Sequence, residues 1–257
     1  MSPLELSSPR WGLLQDAYGT AEQIPQLLAE LESANAESFN ELFGRICHQM
    51  SVYSSSIAAF PHLIAVASRL APDAEFHADV LCLAGAICES HDFECELHQS
   101  EFSGALMASL PCAVSLAEAA LRNATDQNQA IYLLKSIAAF GRMQELARVL
   151  EGFSNEEFTL ECPSCVAQLY VWPSPEGFFI AAEDPVTYGQ AERTNVAPGV
   201  STQSKRQDEL RWLDKQSSGV EGLAEVRTKL PYLFGEALCP KCKHAFPLFD
   251  VLAEQAS

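Results

Sequence analysis

Positive charge is what this chain has least of. Only 16 Lys and Arg stand against 34 Asp and Glu in 257 residues, a formal net charge of −18. Residues 1–153 carry 7 basic against 19 acidic side chains, and residues 154–257 carry 9 against 15. A surface so poor in cations repels phosphate backbones, so nucleic-acid binding is disfavoured; a basic protein partner fits better, and acidity that serves solubility alone is the alternative. Long apolar runs are missing too. The most apolar stretches, 80–88 and 105–117, are too short or too broken by Ser and Pro to span a bilayer, so no membrane segment is expected. Met1-Ser2-Pro3-Leu4-Glu5 has neither the basic start nor the apolar run of a secretory signal, which points to a cytoplasmic protein. Catalytic templates are also wanting: there is no G-x-S-x-G elbow, H-E-x-x-H, P-loop or G-x-G-x-x-G, and no enzyme is expected.

What the chain does have is 48% apolar residues, ample for a buried core, and nine cysteines. Four of these form two matched turns, Cys162-Pro163-Ser164-Cys165 and Cys239-Pro240-Lys241-Cys242. Each C-P-x-C offers a closely spaced thiolate pair, and two pairs complete a tetrahedral structural Zn²⁺ site. The 73 residues between Cys165 and Cys239 make a loop whose closure costs roughly 4 kcal/mol plus a constant. Structural zinc returns on the order of 10 kcal/mol, so the metal wins. A thioredoxin-like redox couple would need a strand-to-helix context after the motif, whereas residues 166–172 read as a strand. Cys47, Cys82, Cys88, Cys95 and Cys112 lie in apolar or helical contexts and read as small hydrophobes, without disulfides.

The first 153 residues repeat a pattern of apolar, Pro, any residue, two apolar residues and a small one. It occurs at Ile24-Pro25, Phe60-Pro61 and Leu110-Pro111, with a degenerate echo at Phe140-Gly141. Proline is tolerated in a helix's first turn, so each copy predicts the start of the second helix of a helix-turn-helix unit. The spacings of 36 and 50 residues bracket the period of HEAT-type repeats; a plain bundle with Pro-kinked helices is the alternative. Thr20-Ala21-Glu22-Gln23 reads as a capping box, and Asp73 after Pro72 as the cap of a helix burying Val80, Leu81, Ala84 and Ile87. About eight helices are expected over residues 11–152.

After Phe153 the period becomes strand-like. Residues 157–161 and 177–181 predict strands, with a turn at Pro173-Ser174-Pro175 between 166–172 and 177–181. Residues 183–205 predict an exposed loop or a partly disordered segment. Ser218-Gly219-Val220-Glu221 predicts a cap for a helix with Val220, Leu223, Val226 and Leu230 on one face, and residues 245–249 a closing strand.

Two polar constellations stand out. His48, Gln49 and Tyr53 fall at a helix junction between an element ending near Arg45 and one starting near Ser51. Such a junction can bind a ligand or partner, or its polar groups can cap the neighbouring helix ends. Cys88, His91, Cys95 and His98 have ligand chemistry, but on one helix they would spread over about 15 Å, too far for one ion. A solvated acidic turn beside Glu89, Asp92, Glu94 and Glu96 is the alternative.

The run Trp11-Gly12-Leu13-Leu14 through Ala17-Tyr18-Gly19-Thr20, with Ile24-Pro25, Cys47-His48-Gln49, Val52-Tyr53 and Ala58-Ala59-Phe60-Pro61, resembles the opening of a group of bacterial HEAT-like proteins. The resemblance covers residues 11–70 and only loosely the later helices. Some members look like immunity proteins encoded beside secreted toxins. This chain departs from the commoner H-Q-G-T-V-Y by placing Met50-Ser51 after Gln49, and Cys47 where an aromatic is frequent, so the resemblance speaks more for fold than for function.

The fold expected is therefore mainly α: a HEAT-like helical repeat array over residues 1–153, then a small β zinc-ribbon with a helical insertion over 154–257. The function expected is a cytosolic protein-interaction module, an immunity protein neutralising a basic toxin. The alternative is an enzyme or small-ligand sensor using His48, Gln49 and Tyr53.

Overall fold

The computed structural model of the protein describes residues 2–71, 75–188, 192–199 and 206–256. Pro72, the Asp73 cap and parts of the 183–205 stretch lie outside the described residues. A 3-10 turn at Pro9–Leu13 precedes a minimal hairpin of β1 (Gln15–Asp16) and β2 (Gly19–Thr20). Eight α-helices follow among the described residues: α1 (Ile24–Glu30), α2 (Ala36–Ile46), α3 (Ser54–Ala67), α4 (Glu75–Glu89), α5 (Phe93–Gln99), α6 (Ser103–Asn123), α7 (Gln127–Phe140) and α8 (Gln144–Ser154). Then come β3 (Phe158–Glu161), β4 (Gln168–Ser174), β5 (Gly177–Ala181), α9 (Pro185–Tyr188), β6 (Arg193–Asn195), α10 (Gln207–Ser217), α11 (Ala224–Leu233), β7 (Glu236–Leu238), β8 (Ala245–Pro247) and α12 (Leu248–Gln255). The protein is mainly helical, with small sheets toward the C-terminus. The chain forms two compact units, Met1–Asn123 with Leu133–Ala147, and Ala124–Tyr132 with Arg148–Ser257.

The first unit is built around α3. Eleven of its fourteen residues are buried, because it packs against α1, α4, α5 and α6. A helix covered on nearly every side needs no polar face, and after its opening serines α3 is apolar apart from His62. Phe60 meets the ring of Phe140 edge to face at 5.9 Å, and Ile57, Leu63, Leu81 and Phe93 complete a core with Ile24 and Leu28. The expected cap of α4 is outside the described residues, but Val80, Leu81, Ala84 and Ile87 are fully buried as the period required.

Helix starts depart from the sequence reading. Pro25 does sit in the first turn of α1, yet the cap residue is Gln23 without a side-chain hydrogen bond, so no capping box forms at Thr20. Pro61 and Pro111 lie inside α3 and α6 instead of opening them. An interior proline removes one helical hydrogen bond and crowds the carbonyl four residues back; burial of the surrounding apolar faces outweighs that penalty here. The Phe140-Gly141 echo ends α7, and Arg142 turns left-handed at φ 63°. Asn35 is an unpredicted cap: its side chain accepts the Glu37 and Ser38 N–H groups at 3.0 and 3.2 Å.

Helix α6 is longer than its Ser and Pro suggested. At 21 residues it is long and apolar enough, by length and composition, to cross a membrane, and 39% of its apolar window is buried within the protein. Ala105, Leu106, Leu110, Ala113 and Ala117 form that buried face, against α3 and α4.

In the second unit β3, β4, β5 and β6 form an antiparallel sheet in chain order, and β7 pairs with β8. The register sets Phe158 opposite Val171 and Val171 opposite Ile180, so Phe158, Leu160, Leu169, Val171, Phe178 and Ile180 are all buried. An isolated bridge, Ala197 to Glu236, links the end of the first sheet to the second.

Four expectations are corrected. Part of the 183–205 stretch is structured, since β6 pairs with β5. The turn expected at Pro173-Ser174-Pro175 lies later, because β4 runs through Ser174. The helix expected after Ser218 begins as a 3-10 turn at Glu221–Leu223, without a side-chain cap. The closing strand stops at Pro247, where α12 starts, and Leu248 and Phe249 are helical. Helix α10, polar along most of its length, was not expected at all.

Candidate metal centre

Each C-P-x-C turn sits at the tip of a hairpin, Cys162 to Cys165 between β3 and β4, Cys239 to Cys242 between β7 and β8. The two turns make the same hydrogen bonds. Val166 N–H donates to Cys162 O and Cys162 N–H to Ala167 O, both at 2.9 Å; Lys243 N–H donates to Cys239 O and Cys239 N–H to His244 O, also at 2.9 Å. The residue after each second cysteine is left-handed, Val166 at φ 57° and Lys243 at φ 59°. That conformation is strained for a β-branched or long side chain, and it folds the chain back so that both sulfurs of a turn face the same point.

The sulfurs converge. Cys162 Sγ lies 3.7 Å from Cys242 Sγ, and Cys165 Sγ 3.8 Å from Cys239 Sγ, with all four within 4.8 Å of one another. Four thiolates about 2.3 Å from a central ion stand about 3.8 Å apart in a regular tetrahedron. A disulfide would bring two sulfurs to about 2.05 Å. The cluster therefore fits a metal ion and not a covalent bridge. Cys162 and Cys239 are buried and Cys165 and Cys242 exposed.

Backbone donors temper the charge such a site gathers. The Cys242 thiol is pushed down to about 7, first by the hydrogen bond from the His244 backbone. Burial pushes Cys239 up, against hydrogen bonds from the Cys242 and Lys241 backbone. A thiol must lose its proton to ligate, and these N–H groups favour the thiolate. Second contacts hold the hairpins. Gln255 on α12 brackets Glu161, next to Cys162, donating to its carbonyl at 2.9 Å and accepting its N–H at 2.7 Å. Thr194 on β6 donates to Leu238 O at 2.6 Å. Nothing in the sequence marked Gln255 or Thr194, because both act through backbone atoms distant in the chain.

The His48 junction takes a different form. His48 and Ser51 close a tight turn through Ser51 N–H to His48 O at 2.9 Å, with Gln49 at φ 49° and Met50 at φ 63°. The His48 ring stands edge-on to Tyr18 at 5.7 Å, and Tyr18 carries the Arg45 guanidinium over its face at 5.4 Å. Arg45 pairs with the buried Asp16 at 3.0 Å. Tyr53 instead precedes α3, its N–H donating to Ser56 Oγ at 2.8 Å, and its phenol is pushed up by burial and by the charge of Asp92. Gln49 is exposed. Thus His48 is grouped with Tyr18, Arg45 and Asp16, none of which the sequence marked as a site residue, while Tyr53 serves the start of the next helix.

Cys88, His91, Cys95 and His98 are not on one helix: α4 ends at Glu89 and α5 starts at Phe93. Cys88 is buried and its thiol pushed up by burial, whereas Cys95 is exposed and His98 Nδ1 bonds Glu94 O at 2.6 Å. Burial likewise pushes Cys47 and Cys82 up to about 12. Cys112, expected among the small hydrophobes, is exposed on α6.

No family model, curated protein or solved structure matches the chain.

Proposed function

We propose that the protein is a cytosolic protein-interaction module: a HEAT-like helical array and a zinc-ribbon closed by one structural Zn²⁺, docking a basic protein partner through an acidic surface. The observation that carries the partner's sign is the state of the few cations. At least nine of the sixteen basic side chains are already engaged with carboxylates, Arg10, Arg45, Arg69, Lys135, Arg142, Arg206, Arg211, Arg227 and Lys243. The surplus acids therefore face outward with little local compensation. Such a field speeds encounter with a cationic surface and selects against anionic ones. Four cysteine ligands leave no open position on a tetrahedral ion, which favours a structural over a catalytic metal. Neutralisation of a basic toxin is the narrower reading, supported by the resemblance over residues 11–70.

The test is affinity capture on the immobilised full chain, with partners identified by mass spectrometry after a salt step. Basic proteins should be held at about 50 mM salt and released at about 500 mM, where screening shortens to a few ångströms. A partner that is acidic, or equally retained at both, would contradict the electrostatic reading.

A second reading, a ligand site at the His48, Gln49 and Tyr53 junction, is favoured by one observation: two consecutive non-glycine residues, Gln49 and Met50, are left-handed. Strain of this kind collects at functional sites. Under it, His48→Ala removes a binding activity and leaves the melting temperature unchanged; a fall in melting temperature alone would mark His48 as a packing residue.

A further inference from the structure

The second unit holds a cavity of about 280 Å³. Its apolar side is a triad of rings, Phe153, Phe158 and Phe178. Phe158 stands edge to face with each of the others at 5.4 Å, and Phe153 and Phe178 are 6.0 Å apart. The triad is wedged in place, for a Cβ on Gly152 would lie 2.6 Å from Phe158 Cγ. Val226 on α11 continues the apolar lining. One turn further along α11 the cavity meets Lys229, which is 94% buried and donates from Nζ to the carbonyl of Ser174.

Lys229 is the anomaly. An ammonium has three donors and carries a full charge, and this one has a single carbonyl partner and no ion pair with any described carboxylate. A buried cation without a counter-ion is disfavoured by several kcal/mol, and the space beside it is where a counter-ion fits. Glu156 and Glu225 also line the cavity, but both are exposed. Charges at such positions are screened by solvent, yet they oppose entry of a multiply charged anion. A monoanion that buries an apolar body against the rings satisfies both demands. The volume lies just below the roughly 300–1,000 Å³ of drug-sized sites, so the occupant is small, a single ring bearing a short acidic arm.

We propose that this cavity is a binding site for a small aromatic monocarboxylate, with its ring against Phe153, Phe158 and Phe178 and its carboxylate on Lys229. The site is independent of the partner surface proposed above.

Titration calorimetry on the full chain with phenylacetate, and with phenylacetamide as its uncharged counterpart, tests it. Phenylacetate should bind at least about tenfold more tightly than phenylacetamide, the difference a charge-assisted contact makes. Lys229→Met should abolish that preference while leaving phenylacetamide binding in place. Inorganic phosphate should not displace phenylacetate. Equal binding of the two compounds, no binding of either, a preference that survives Lys229→Met, or displacement by phosphate would each overturn the proposal. If Lys229→Met does not fold, the preference in the unaltered chain decides alone.

Discussion

The two cysteine turns and the His48 turn use one backbone device for different ends. All three place non-glycine residues at positive φ, Val166, Lys243, and the pair Gln49 and Met50. In the cysteine turns the strain aims four sulfurs at one point, and metal ligation can offset it many times over. In the His48 turn no comparable contact is gained: Gln49 and Met50 are exposed, and the turn's first residue, His48, meets the edge of Tyr18, which in turn stacks on Arg45. Strained backbone therefore points first to whatever stands beside it. What stands beside it, four converging sulfurs that could hold a metal in one region and a ring contact between His48 and Tyr18 in the other, separates the two.

The sharpest way to break this comparison is to remove a ligand. Cys162→Ser should cost the second unit about 5 kcal/mol or more, because losing the metal is among the few single changes of that size. Chemical denaturation followed by the near-ultraviolet signal, to which Trp172 and Trp212 of the second unit contribute beside Trp11 of the first, would measure it; a loss below about 1 kcal/mol would mean that the hairpins hold without metal. Next in size is Arg45→Met. Asp16 is buried and would lose its only ion-pair partner among the described residues, at a cost of about 3 kcal/mol in urea unfolding. Met50→Gly should have the smallest effect and the opposite sign. Glycine relieves the left-handed strain, and Met50 is 41% exposed, so a gain of up to about 1 kcal/mol is expected. A loss instead would mean that the Met50 side chain packs on something that matters more than its backbone.

How much of this was legible in the sequence depended on whether the signal was local. The cysteine spacing is local chemistry, and the four sulfurs it named do converge. Strands β3 and β5 follow from alternation and match closely. The prolines misled, because their helix-start preference is a weak local term and α3 and α6 are governed by burial along their whole length. Helix α12 was hidden by reading 245–249 as one apolar strand, when Pro247 ends the strand and opens the helix. The Phe153, Phe158 and Phe178 cavity and the isolation of Lys229 depend on residues brought together from four elements, which no spacing rule registers.

The central claim is that a metal at Cys162, Cys165, Cys239 and Cys242 closes the second unit. Hydrogen exchange read by mass spectrometry, on the zinc-loaded chain and again after a strong chelator removes the zinc, tests it most directly. The account predicts that chelation strips protection from β3, β4, β7 and β8 while α3 keeps its own. Unchanged protection in both hairpins would contradict it.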